Sequence, residues 1–195
     1  LAPADERAFS TFLLGVVTGP RKEPCPPDAS GWRRFAYATA TVIHHEVALL
    51  GTVLLVIALT WGATNQAGTG SFLVLWVMRL SAKLNVFLGV RNLATEFIPV
   101  HLRYLLSYFR KARLNPLMPV SLLAGTGVLG YLVSSDGAPG IPVCAAVGRT
   151  LVATLLGLAV VEHLFLALPL PDALLWRWAL RSGHGAAAEG SARLK

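Results

Sequence analysis

Eight polar residues of this chain occupy otherwise apolar stretches, and their types could do chemistry. His44, His45 and Glu46 lie in one stretch, Arg79, Lys83 and Asn85 in the next, and Glu162 and His163 in a later one. Glu96 follows the second stretch closely, and His101 lies beyond it. An ionisable side chain inside a membrane span is costly, usually faces the helix bundle, and marks a functional site by default. Three chemistries suit this set. The first is a salt-bridged network, Glu46 or Glu162 with Lys83 or Arg79, which fixes helix register because buried charges must be paired. The second is a metal site, since His45, Glu46, Glu96, Glu162 and His163 supply imidazole and carboxylate ligands for iron, zinc or manganese. The third is pigment handling, with His44 or His45 ligating the magnesium of a chlorin such as bacteriochlorophyll.

Spacing weighs against the familiar di-iron version of the metal site. Bundle di-iron proteins use Glu-x-x-His, whereas Phe165 stands three residues after Glu162 and Pro99 three after Glu96. Adjacent residues such as His45 and Glu46 point about 100° apart on a helix, so they cannot aim at one point. The run Gly125-Thr126-Gly127-Val128-Leu129-Gly130 matches the dinucleotide fingerprint in letters only. It sits within an apolar stretch with no strand before it, so that reading fails. Small residues at such spacing instead let membrane helices approach.

The elements that must hold these residues follow from hydropathy. The chain has 195 residues, 54% of them hydrophobic and only 14% charged, with a mean hydropathy of +0.59. About a quarter of the residues of a soluble domain are charged, so lipid must cover much of this chain. A spanning helix needs roughly 20 mainly apolar residues. Residues 37–61, 70–90, 117–133 and 143–168 qualify or nearly do, which predicts an all-α, polytopic transmembrane helix bundle. Residues 1–36 read as the end of a preceding membrane helix, stopped at Thr18-Gly19-Pro20, plus a loop. Leu1 and the apolar run from Ala8 to Val17 suggest that the sequence continues a longer protein, with no cleavable signal peptide in view.

The net charge of +7 is a topology signal. Loops 62–69 and 134–142 carry no Lys or Arg, while Arg21, Lys22, Arg33, Arg34, Arg91, Arg103, Arg110, Lys111, Arg113, Arg177 and Arg181 fall on the other side. The positive-inside rule puts that side in the cytoplasm of a multi-pass inner-membrane protein, and argues against nucleic acid as partner. Cys25 and Cys144 then lie on opposite membrane sides and cannot pair. With span ends near Tyr37, Arg91 and Leu168, the polar residues converge about 8–14 Å inside the cytoplasmic face, Arg79 deeper.

Within segment 93–116, Ile98, Leu102, Leu105 and Phe109 recur at helical spacing, with Arg103, Ser107 and Arg110 on another face. That predicts a basic amphipathic helix lying in the interface, the alternative being a soluble cap packed on the bundle. Residues 169–195 read as a short interfacial helix with Trp176, Arg177, Trp178 and Arg181, then a mobile tail. Trp and Arg together suit the headgroup layer. Arg103, Arg110, Lys111, Arg113, Trp176 and Trp178 are thus the expected membrane-surface contacts.

Several stretches together resemble one family. They are Phe12-Leu13-Leu14-Gly15-Val16-Val17-Thr18-Gly19-Pro20, His44-His45-Glu46, Ser81-Ala82-Lys83-Leu84-Asn85-Val86-Phe87-Leu88-Gly89-Val90, Thr95-Glu96-Phe97, residues 115–121, Glu162-His163, and the run from Leu168-Pro169-Leu170-Pro171 to Trp176-Arg177-Trp178. Across roughly residues 12–181 the chain is similar to the photosynthetic complex assembly protein 2 (PuhE) family of phototrophic bacteria. The resemblance implies a protein encoded with reaction-centre genes that supports accumulation of reaction-centre and light-harvesting complexes. Its partners would be subunits of those complexes or other assembly factors. It also implies a carboxylate about where Phe9 stands, for which this chain offers Glu6. Two other outcomes stay open from the residues: a metal-dependent membrane oxidoreductase acting on pigment or quinone, and a stable pigment-binding subunit.

Overall fold

The computed structural model describes residues 3–93, 95, 98–112, 115–135 and 142–168. Six α-helices follow in order: α1 Pro3–Thr18, α2 Gly31–Ala40, α3 Ile43–Leu59, α4 Ala67–Leu88, α5 Leu117–Ser135 and α6 Val143–Ala167. A 3-10 helix, Val100–Tyr108, stands between α4 and α5. Among the described residues there is no strand, only a single bridge between Val90 and Lys111. The fold is all-α, as expected.

Helices α4, α5 and α6 are each long and apolar enough to cross a membrane. Their outer faces stay apolar: Leu123 is 75% exposed and Leu158 63%. Apolar residues all round a helix are what lipid demands. Between the helices the contacts are small residues. A Cβ on Gly148 would meet Ala67 at 2.9 Å, and one on Gly125 would meet Val160 at 2.9 Å. Ala153 and Ala159 complete the buried face of α6. Such residues bring backbones close, and close packing is what drives helix association within lipid.

Residues 37–61 do not form the single straight span expected from hydropathy. The helix breaks at Thr41–Val42, and α2 and α3 meet with a bend of 66°; counted as one span, the pair would be a fourth crossing. The cause is local. Tight bonds run from the Thr41 and Val42 amides to Ala38 and Thr39, and the Thr41 hydroxyl also donates to Ala38. The Ala40 carbonyl accepts from the Arg21 amide at 3.1 Å. A carbonyl drawn out of the helical ladder and a threonine bonding back to the chain are recognised sources of kinks. Gly15 of α1 packs at this break, with room for no Cβ before it meets the Ala40 oxygen at 3.0 Å.

The segment expected to be an amphipathic α-helix is a 3-10 helix instead, ending where Phe109 turns extended. Its two-faced character survives, with Leu102, Leu105 and Phe109 half-buried and Arg103, Ser107 and Arg110 exposed. Long-range bonds hold it: Ser107 Oγ accepts from the Cys25 amide at 2.7 Å, Tyr108 OH donates to the Glu23 carbonyl at 2.9 Å, and the Tyr108 carbonyl accepts from Arg34 at 2.7 Å. Anchors at three successive levels tie the segment to the 19–30 loop and α2, as in a cap on the bundle. Lys111 is exposed on the adjoining strand-like stretch. Glu96, Arg113, Trp176 and Trp178 lie outside the described residues.

Candidate functional site

Helices α4 and α6 run parallel, and their apposed faces carry a buried polar knot that α5 closes. Asn85 and His163 are both 0% exposed, and Asn115 and Ser121 are buried beside them. His163 Nδ1 lies 2.8 Å from the Ala159 carbonyl. A carbonyl only accepts, so Nδ1 carries a proton. The other ring nitrogen, Nε2, meets Ser81 Oγ at 3.0 Å.

Ser81 Oγ also lies 2.9 Å from Ser121 Oγ, its one proton serving either Ser121 or His163 Nε2, and Ser121 bonds to the Leu117 carbonyl at 2.9 Å. The Asn85 amide donates to the Ser81 carbonyl at 3.0 Å and to Ser121 Oγ at 3.2 Å. These two acceptors fix which way the amide points. Asn85 Oδ1 is left buried with no hydrogen-bond partner among the described residues. One turn toward the basic end, Asn115 donates to the Gly89 and Asn85 carbonyls at 2.7 and 3.2 Å. Its Oδ1 accepts from the Met118 amide at 3.0 Å. Asn115 therefore caps α5 and closes the end of α4 at once, satisfying orphan groups of both helices.

A second group lies on the opposite flank of α4. Lys83 Nζ donates to Glu46 Oε1, and Trp76 Nε1 donates to Glu46 Oε2 at 3.1 Å. Both carboxylate oxygens are satisfied, and the ion pair joins α3 to α4. Of the pairings that the sequence left open, Glu46 or Glu162 with Lys83 or Arg79, the structure holds Glu46 with Lys83.

The remaining expected residues are not drawn into either group. His44 is exposed, with Nδ1 at 3.4 Å from the Val16 carbonyl. His45, Arg79, Glu162 and His101 are exposed as well. Depth brought the polar residues together in the sequence, but helical rotation separates them into distinct faces. His163 turns inward while its neighbour Glu162 turns out, the 100° step that adjacent residues must take. Among the described residues no three His, Cys, Asp or Glu side chains converge to hold a metal ion. Both nitrogens of His163 face polar neighbours of the bundle, so neither is presented to an outside ligand.

Sequence reasoning missed Ser81, Ser121, Asn115 and Trp76. The one available signal was the spacing of Ser81 and Asn85 at i and i+4, which puts two polar side chains on one face of an apolar helix.

At the basic end, Arg21 stacks over the Tyr37 ring at 4.5 Å and pairs with Glu23 at 3.0 Å. Arg34 lies over Phe87 at 5.4 Å. Burial pushes the Tyr108 phenol up to about 12, against the pull of Arg21. Burial also raises the Cys25 thiol, with Arg34 and Arg21 opposing.

Residues 8–187 match DUF3623, a protein family of unknown function. The chain belongs to this family. It is also 42% identical over 177 residues to the "Uncharacterized 30.4 kDa protein in puhA 5'region" of Rhodobacter capsulatus. The match covers 88% of this chain and 62% of that protein, so the chain spans less than two thirds of its relative. No solved structure matches.

Proposed function

We propose that this DUF3623 chain is a membrane accessory factor for assembly of the bacterial photosynthetic apparatus, acting as a scaffold without chemistry of its own. The observation that carries this reading is the 42% identity to a protein placed, by its name, in the 5' region of puhA, a photosynthesis-related location. The resemblance to the PuhE family points the same way. The interior geometry supports a scaffold, since the buried polar groups at the α4, α5 and α6 seam, Asn85 Oδ1 apart, bond to one another and to backbone. In this reading the chain sits in the inner membrane with its basic loops in the cytoplasm. Its clients are reaction-centre or light-harvesting subunits, or other assembly factors.

The test is deletion of the gene in a phototrophic host, followed by complementation. Near-infrared absorption of the membranes is the readout. Loss of reaction-centre or light-harvesting bands, restored by the wild-type chain, is expected; unchanged bands would sink the proposal. Metal analysis of the purified protein adds an independent arm. Stoichiometric iron, zinc or manganese would replace the scaffold by a membrane metal enzyme.

A further inference from the structure

Two opposite charges stand at one depth on faces of the bundle where nothing in the described chain meets them. Arg79 lies 12 residues from the start of α4 and nine from its end, about 18 and 13 Å along the axis. That is near the middle of a hydrocarbon core about 30 Å thick. Arg79 is exposed, and it has no ion pair or hydrogen bond among the described residues. Nor can it snorkel easily to the nearer end. Helical side chains lean toward the helix N-terminus, which for Arg79 is the farther end. Glu162 on α6 is likewise exposed and unpaired among the described residues.

The knot sets their relative height. Ser81 and His163 are in contact at 3.0 Å, and α4 and α6 are parallel. Arg79 lies two residues above Ser81, about 3 Å, and Glu162 one residue above His163, about 1.5 Å. The two charges therefore differ in depth by only about 1.5 Å. Their directions differ. Arg79 is about 200° round α4 from Ser81 and so faces away from α6, at the edge of the α3 seam one turn from Lys83, while Glu162 is about 100° round α6 from His163. Within one chain they cannot meet.

Copies of one protein inserted alike share both depth and orientation, so residues of equal depth on different faces are the ones that can meet between copies. We infer that Arg79 of one copy pairs with Glu162 of the next, joining the α4 face of one to the α6 face of its neighbour in a head-to-tail contact. Charges on two separate faces give the heterologous kind of interface, which closes into a ring or continues as a row. The pairing gives both groups the partner that lipid cannot supply.

The experiment co-expresses two differently tagged copies of the full-length protein in its host membrane and captures one tag. Wild-type copies are expected to copurify. R79E alone and E162R alone are each expected to lose at least tenfold in recovery of the second tag, with membrane levels of each variant followed by immunoblot. The double exchange R79E/E162R is expected to restore it, and a copy bearing only R79E is expected to capture a copy bearing only E162R. Wild-type copies that fail to copurify would overturn the inference. So would a recovery that ignores both exchanges, or a double exchange that restores nothing, since either outcome assigns the two charges to a different protein or to lipid. The outcome is independent of whether photosynthetic complexes are the client.

Discussion

Helix α4 is held on two sides by different means. Toward α5 and α6 the contacts are hydrogen bonds: Ser81, Asn85, Ser121 and His163 share directional bonds with each other and with three backbone carbonyls. Toward α3 the contact is a single ion pair, Glu46 with Lys83, steadied by Trp76. The knot has many members, with Asn85 and His163 fully buried, so removing one breaks several bonds at once. The ion pair has one Coulombic link, and its lysine is 29% exposed. The knot sets register among three helices, whereas the pair fixes one helix against another at one level.

Replacing His163 with Ala strikes the knot hardest. It removes a fully buried ring together with its bonds to Ser81 and the Ala159 carbonyl, so stability is expected to fall by about 2–4 kcal/mol in mixed-micelle SDS titration. A loss no greater than that of an exposed Leu158→Ala control would show that the knot is not what holds the seam. Gly89→Ala acts on the neighbouring end of α4. Gly89 has φ +122, and its Cβ would stand 2.7 Å from the Ala112 Cβ. About 1–3 kcal/mol of destabilisation is expected on the same titration.

On the other seam, Lys83→Met is expected to cost about 1–2 kcal/mol by leaving Glu46 without its cation. Adding Glu46→Gln should recover most of the loss. Two losses that simply add would mean that the pair is not coupled across the seam.

The smallest effect concerns the cap. The Tyr108 phenol titrates near 12 in the fold, against about 10 for a free tyrosine. The fold therefore favours the protonated form. That stability is complete below about pH 10 and drains away as pH rises toward 12. Tyr108→Phe should remove this alkaline step, and lower stability at neutral pH by about 1 kcal/mol through loss of the bond to Glu23. A persisting step between pH 10 and 12 in the variant's far-ultraviolet dichroism would assign it elsewhere.

Much of this was legible in the chain. Helices α4, α5 and α6 follow from runs of apolar residues long enough to span, and the need to pair intramembrane charges gave Glu46 or Glu162 with Lys83 or Arg79, without choosing among them. The break at Thr41–Val42 was hidden, because Thr39, Thr41 and Val42 do not interrupt hydropathy while their hydroxyl and amide bonds redirect the chain. Residue type singled out His163 and Glu162, but not that one turns in and the other out. Rotation about a uniformly apolar helix leaves little pattern to read. Ser81 and Ser121 stayed unnoticed because a serine inside lipid is cheap, bonding back to its own helix until a neighbour makes it part of a seam.

The 66° bend has a consequence for the surrounding bilayer. Beyond it, α3 keeps 17 residues, about 25 Å of helix, while α6 runs 25 residues, about 37 Å. A hydrocarbon layer about 30 Å thick matches neither length; with α2 and α3 counted as one bent span, lipid is expected to thin along the α3 flank while α6 tilts. Reconstitution in lipids of graded acyl length would register this as a helix tilt that changes at α6 more than at α3. The expected outcome is a gradient of membrane thickness across the protein's width, with neighbours of short span favoured on the α3 side.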